Sequence, residues 1–209
     1  MPVRTKDFLT PGDNPDGLTE VEVVDGLTLD DVGRADRQWE GPLSDLVAHL
    51  TYAGIPSAQL PPSWAWEWRT ILEDELAPTA SILGIEYEGK WQGLMALDLD
   101  PLPCYHERNA LGIYLAYVAA APWNLGYYHG LLRQVPKFDD VGEVFLSLAA
   151  RKSIECGYEG RVILHAAPGS EGFYRKCGIT ETGPDKLHPL NLIRFEMTAE
   201  RALDFLGME

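Results

Sequence analysis

A mixed α/β fold, with a central and mostly antiparallel sheet flanked by helices, is what the sequence predicts, on three observations. Two strand-like runs, Ser81 to Tyr87 and Trp91 to Leu99, face each other across Glu88-Gly89. That pair is a two-residue turn in which glycine takes positive φ without steric cost. A helical repeat at Val141, Val144, Phe145, Leu148 and Ala149 stands between strand-like runs at 111–119 and 161–165. The resulting order of helices, hairpin, strand, loop, helix, strand, helix and strand describes a mixed sheet covered by helices.

Residues 1–19 are rich in Pro, Gly, Asp and Thr and read as a disordered or extended arm, which leaves 20–209 as a single domain. Val21, Val23 and Val24 suggest a first strand. Leu29-Asp30-Asp31 opens a helical stretch, and residues 43–53 and 64–76 read as helical too. Pro56, Pro61 and Pro62 force a loop between those two. Trp64, Trp66 and Trp68 do not share one helical face; they read as packing, or as the surface of a homodimer. Leu111 to Ala119 is apolar on both faces, the mark of a central strand. Residues 120–140 read as a long irregular segment, functional or mobile in a compact domain. Gly157 stops the helix that follows it. Arg161 to His165 is a short strand, and Glu171 to Cys177 a short helix ended by Gly178. Ile193, Phe195 and Met197 alternate with Leu192, Arg194 and Glu196 as a late strand, and a last helix starts near Thr198.

The 209 residues carry a net charge of −15, which repels phosphate backbones and disfavours nucleic acid as a partner. The same charge attracts polyamines, basic antibiotics or basic proteins, or serves solubility alone. Cys104, Cys156 and Cys177 are odd in number and widely spaced, so neither a disulfide framework nor a cysteine zinc site is expected, and no metal is implied. Reduced thiols, the lack of an apolar signal stretch near the start, and the lack of a membrane-length apolar run together predict a cytoplasmic protein. Neither Cys156 nor Cys177 sits in a recognisable nucleophile context.

Three features between Leu111 and Ile179 resemble the GNAT superfamily of acyl-CoA N-acyltransferases. The strand LGIYLAYVAAAP is followed by a loop and by a helix that ends in Glu155-Cys156-Gly157-Tyr158. The strand RVILHAAP then leads into Gly172-Phe173-Tyr174-Arg175-Lys176-Cys177-Gly178-Ile179, which looks like the F-Y-x-x-x-G-F signature on the family's fourth helix. PWN, GRVxLH, FYRKCG and RFEMT together look like a bacterial subfamily of unassigned substrate. The resemblance covers most of residues 80–206 and makes 20–209 a GNAT-like domain. It implies an acetyl group moved from acetyl-CoA to a primary amine of a small cationic molecule or basic peptide. Its alternative is a catalytically inactive GNAT-like binding or scaffold module that has lost CoA.

The family's pyrophosphate loop, [Q/R]-x-x-G-x-[G/A], falls on Lys137-Phe138-Asp139-Asp140-Val141-Gly142. Lys137 keeps the positive charge and Gly142 the room for close approach, whereas Asp140 stands where the family has glycine. The loop works by offering the free N–H groups of a helix start, here Val141, Gly142 and Glu143, to the diphosphate. Asp139 or Asp140 as a helix cap would compete for those donors, Asp140 and Glu143 standing at capping-box spacing. The resemblance puts the pantetheine arm along Val118, Ala119 and Ala120, and its contact before the fourth helix at Ser170, a residue that is otherwise the helix cap. Tyr174 matches the tyrosine that protonates the departing thiolate. The base is His165, whose ordinary pKa near 6.5 suits proton transfer, or Glu86 on the hairpin. Tyr127, Tyr128 and His129 line an acceptor pocket, and Asn124 contacts substrate or ties down the loop.

Overall fold

The computed structural model describes residues 2–56, 60, 66–76 and 78–208. Its strands are β1 (Val3–Leu9), β2 (Thr19–Asp25), β3 (Ala80–Tyr87), β4 (Lys90–Pro103), β5 (Leu111–Ala120), β6 (Val162–His165), β7 (Thr180–Pro184) and β8 (Ile193–Met197). They form an eight-stranded sheet in the order β1-β2-β3-β4-β5-β6-β8-β7. β5 and β6 pair in parallel, Ile113 opposite Val162, whereas β1–β2, β2–β3, β6–β8 and β8–β7 are antiparallel. The helices are α1 (Leu29–Tyr52), α2 (Trp68–Thr70) with a π-helical turn over Ile71–Glu75, α3 (Gly126–Leu131), α4 (Val141–Glu155), α5 (Glu171–Lys176) and α6 (Ala199–Leu206). The chain falls into two compact units.

The first unit comprises residues 1–76, 81–95 and 118–142. Its N-terminal residues, read above as a disordered or extended arm, supply β1, paired with β2 from Val3–Asp25 to Leu9–Thr19. α1 begins with a capping box in which Thr28 and Asp31 satisfy each other's backbone donors. It then runs unbroken through Pro42, where two separate helical stretches were expected. Proline forfeits one ladder bond there, but Trp39, Leu46 and Leu50 are buried on either side and hold both halves. Gln38 clamps α1 to the hairpin, donating to the Gly89 carbonyl at 2.8 Å and accepting from the Trp91 amide at 2.9 Å. Glu88 and Gly89 both adopt positive φ, 49° and 73°, as a tight two-residue turn requires. Helix expected over 64–76 appears as α2 and the π turn, capped by the Asp36 carboxylate, which accepts from the amides of Trp68 and Arg69. Trp64, Pro61 and Pro62 lie outside the described residues.

The second unit comprises 77–80, 96–117 and 143–209. Ile113, Leu115, Val162, Leu164, Phe195 and Met197 are buried from neighbouring strands, and Phe145, Ala149 and Ala150 from α4. α4 ends at Glu155 and Gly157 takes φ 85°, the helix stop expected of it. β7 was not foreseen: Thr180-Glu181-Thr182-Gly183-Pro184 reads as a turn, yet it edges β8 with an irregular step between Glu181 and Gly183.

Candidate functional site

In the first unit the site residues lie on a laced segment. The last residues of β5, Val118, Ala119 and Ala120, are half-buried. Beyond them the Ala121 amide donates to the Gln92 carbonyl at 2.9 Å. Asn124, buried, donates through Nδ2 to the Gln92 carbonyl at 3.0 Å and accepts the Phe138 amide at 3.0 Å, so it ties the loop down. The stretch 120–140 is therefore not irregular throughout: a 3₁₀ turn over Pro122–Asn124 and α3 occupy its middle. His129 closes it, bonding the Pro122 carbonyl at 2.9 Å and Gln134 at 3.0 Å. Tyr127's side chain lies outside the described residues.

Residues 10–12 strap the segment before α4. The Asp139 amide donates to the Thr10 carbonyl at 3.1 Å, and the Gly12 amide to the Lys137 carbonyl at 3.1 Å. Glycine is needed at 12, because a Cβ would lie 2.2 Å from the Pro136 carbonyl oxygen. Asp140 turns the same way. Its carboxylate accepts the Thr10 amide at 2.9 and 3.0 Å and the Thr10 hydroxyl at 2.6 Å. Among the described residues, no first-turn amide of α4 donates to an acidic side chain. The amides of Lys137, Phe138 and Asp139 are spent, on Trp123, Asn124 and Thr10. Lys137 holds its ammonium 4.6 Å from the Tyr87 ring centroid and 3.8 Å from the Glu88 carboxylate. It borders an open groove of about 370 Å³ with Pro11, Tyr87, Pro136 and Phe138. Glu86 is buried, each carboxylate oxygen on a guanidinium, Arg4 at 3.1 Å and Arg34 at 3.0 Å.

In the second unit Tyr174, on α5, is buried against Phe195, ring centroids 5.5 Å apart. Burial pushes its phenol far above the ordinary value, with Cys177 and Tyr114 adding to the effect. Ser170 does not cap α5 with its side chain; its hydroxyl donates to the Ala167 carbonyl at 2.7 Å. Glu143 pairs with Lys176 at 3.4 Å. Burial also pushes the Cys177 thiol up to about 11, which removes it as a nucleophile at neutral pH.

His165 ends β6 between two partners that the sequence did not suggest. Its Nδ1 lies 3.0 Å from the Tyr114 hydroxyl and its Nε2 3.1 Å from Asp185 Oδ2. Burial lowers the imidazole's pKa, against the opposing pull of Asp185. The Leu187 amide first, then His165, holds Asp185 below the usual carboxylate range. Tyr114 and His165 share one face because Tyr114 stands opposite Ile163, two residues before His165, a register no local pattern reveals.

Among the described residues no His, Cys, Asp or Glu group is placed to hold a metal, and no helix is long and apolar enough to cross a membrane. No family model matches the sequence, and no curated protein matches it. Solved structures do. The GNAT domain of S. lividans PAT is 12% identical with TM-score 0.53, covering 92% of this chain and 96% of its own. A PaiA N-acetyltransferase from Thermoplasma acidophilum, solved with coenzyme A, is 15% identical with TM-score 0.47 over 86% and 99%. An acyl-CoA N-acyltransferase from Pseudomonas aeruginosa is 14% identical with TM-score 0.45 over 85% and 97%. At such identities a likeness speaks to fold alone, and it is the S. lividans domain that carries it. A large, mostly antiparallel sheet with helices, one parallel pair at β5–β6 and α4 between those strands give the chain the GNAT fold.

Proposed function

We propose that the protein is an N-acyltransferase that moves an acetyl group from acetyl-CoA to a primary amine of a small cationic molecule or basic peptide. The observation that supports this best is the orientation of Asp140. Its carboxylate, the group expected to compete with a diphosphate, bonds Thr10 instead of the first-turn amides of α4. Those amides have no intrahelical partner, and Lys137 stands just before them with a positive charge. In this reading Val141, Gly142 and Glu143 offer backbone donors to the diphosphate, and Val118 to Ala120 line the pantetheine arm.

The amine nitrogen attacks the thioester carbon, an N–C bond forms, the C–S bond breaks, and the thiolate takes a proton. Tyr174 is the donor toward the sulfur. A phenol raised so far by burial is a weaker acid than a thiol, so it stabilises the sulfur chiefly through a hydrogen bond. Between the two candidate bases, Glu86 has both oxygens on arginines, which favours His165. The same reading puts the enzyme in the cytoplasm, where its three free cysteines stay reduced.

The test is a melting curve with acetyl-CoA, followed by thiol release on a panel of polyamines and basic peptides. A ligand at a hundred times its Kd stabilises the folded state by about 2.7 kcal/mol, so the melting temperature rises. No rise at millimolar acetyl-CoA removes the transferase reading. A rise without thiol release above background on any amine favours a non-catalytic module.

A further inference from the structure

His165 has no ring nitrogen left for a substrate. Asp185 is an ionised acceptor, so the nitrogen facing it, Nε2, must carry the imidazole proton. Nδ1 is then a lone pair, and the Tyr114 hydroxyl at 3.0 Å donates to it. The side chains of His165 and Asp185 are 8% and 7% exposed, whereas Tyr114 is only half-buried. Of the three, Tyr114 is the most exposed residue.

Asp185 favours a transient positive charge on the imidazole, while burial, His188 and Arg194 oppose it. Arg194 is the fixed cation nearby, 3.8 Å from Asp185, but it also pairs with buried Glu196 at 2.7 Å. Glu196 offsets Arg194 in part, and Asp185, 3.1 Å from Nε2, is the carboxylate that balances an imidazolium. Asp185 is held in place by the Leu187 amide at 2.9 Å. The ring of His188 lies tilted against His165, centroids 4.4 Å apart.

We infer that Tyr114 is the catalytic group that takes a proton from the acceptor's ammonium while passing its own to His165, with His165 and Asp185 as positioning residues behind it. This rests on the transferase reading above. An ammonium N–H bond breaks as an O–H bond forms on Tyr114; the phenol's own O–H breaks as an N–H forms on Nδ1. The phenol stays neutral throughout, and His165 becomes imidazolium against Asp185. The neutral amine attacks the thioester, its second proton goes to the thiolate, and His165 returns its proton to water.

The experiment is the pH profile of acetyl transfer to the best amine of the panel, for the wild type, Tyr114→Phe, His165→Gln, Asp185→Asn and the double variant Y114F/H165Q. General-base catalysis is worth roughly 100-fold or more, so Y114F lowers kcat by about that factor while the melting shift with acetyl-CoA is unchanged. H165Q removes the acid limb of the profile, which in the wild type lies below pH 6.5. The double variant is no slower than the worse single one, because the groups act as a unit. Y114F within twofold of wild type, or additive losses, overturns the relay and leaves the transferase standing. A wild type that binds acetyl-CoA yet acetylates no amine overturns both. Should the variants lose their fold, nitrogen NMR of wild-type His165 decides: protonation at Nε2 is expected, and at Nδ1 it sinks the relay.

Discussion

Asp140 shows how one side chain decides whether a helix start is open. Its partner Thr10 lies 130 residues away in sequence, so the local run Asp139-Asp140-Val141-Gly142 left both a capped and an open helix start possible, and the fold points the carboxylate away. The start of α4 at Val141 was legible from the helical repeat that follows it; the direction of Asp140 was not, because it depends on where residues 10–12 run. Replacing Asp140 by Ala leaves the Thr10 amide and hydroxyl without their charged acceptor, a loss of about 1.5–3 kcal/mol measured by urea unfolding. Acetyl-CoA affinity should rise by less than about tenfold, the scale of one like charge removed at a few ångströms in a wet site. A much steeper rise would mean that the carboxylate had been blocking the phosphate site. Gly84 is hemmed in by three side chains. A Cβ there would approach Trp91, Leu27 and Leu94 side chains within 2.8–2.9 Å, so Gly84→Ala should destabilise by about 1–3 kcal/mol through overpacking. An unchanged urea midpoint would show that the pocket yields.

Among the elements, the segment between β7 and β8 is where structure adds most to sequence. It brings Asp185 and His188 onto His165, and the run Asp185-Lys186-Leu187-His188 carries no periodicity that announces this. His165 itself was legible as a candidate from its place at the end of a strand, but Tyr114 required the register of β5 on β6 and Asp185 the course of the segment after β7. Hairpin β3–β4, β5, α4 and β8 were readable because alternation or helical repeat wrote them locally. β1 and β7 are edge strands whose polar and turn-forming residues follow their neighbours rather than their own propensity. His165 titrates lower in the folded state than its ordinary 6.5, so the unfolded chain binds the extra proton first and folding stability falls as pH drops below 6.5. Asp185, depressed when folded, adds its own loss only at more acidic pH, below 3.8. Tyr114, Asp185, His188 and Arg194 all face the imidazole and are retained in His165→Gln. That variant should therefore show a shallower decline of melting temperature between pH 6.5 and 5. An identical slope would assign the decline to other groups.

For the molecule as a whole, the net charge of −15 sets opposite demands on the two proposed substrates. A cationic acceptor is drawn in by the field, and a polyphosphorylated cofactor is repelled by it. Both effects act over a Debye length, about 10 Å at 0.1 M salt and shorter above it. Raising salt should then weaken the productive encounter with a polyamine while easing that with acetyl-CoA. The expected outcome is a fall of roughly tenfold in kcat/KM for a polyamine between 20 and 300 mM salt, measured at saturating acetyl-CoA. Under saturating amine, kcat/KM for acetyl-CoA should hold or rise over the same range. A neutral-headed amine should show neither trend. If the polyamine and the neutral amine respond alike, the acidic surplus serves solubility alone, and the acceptor is chosen by shape and hydrogen bonding rather than by charge.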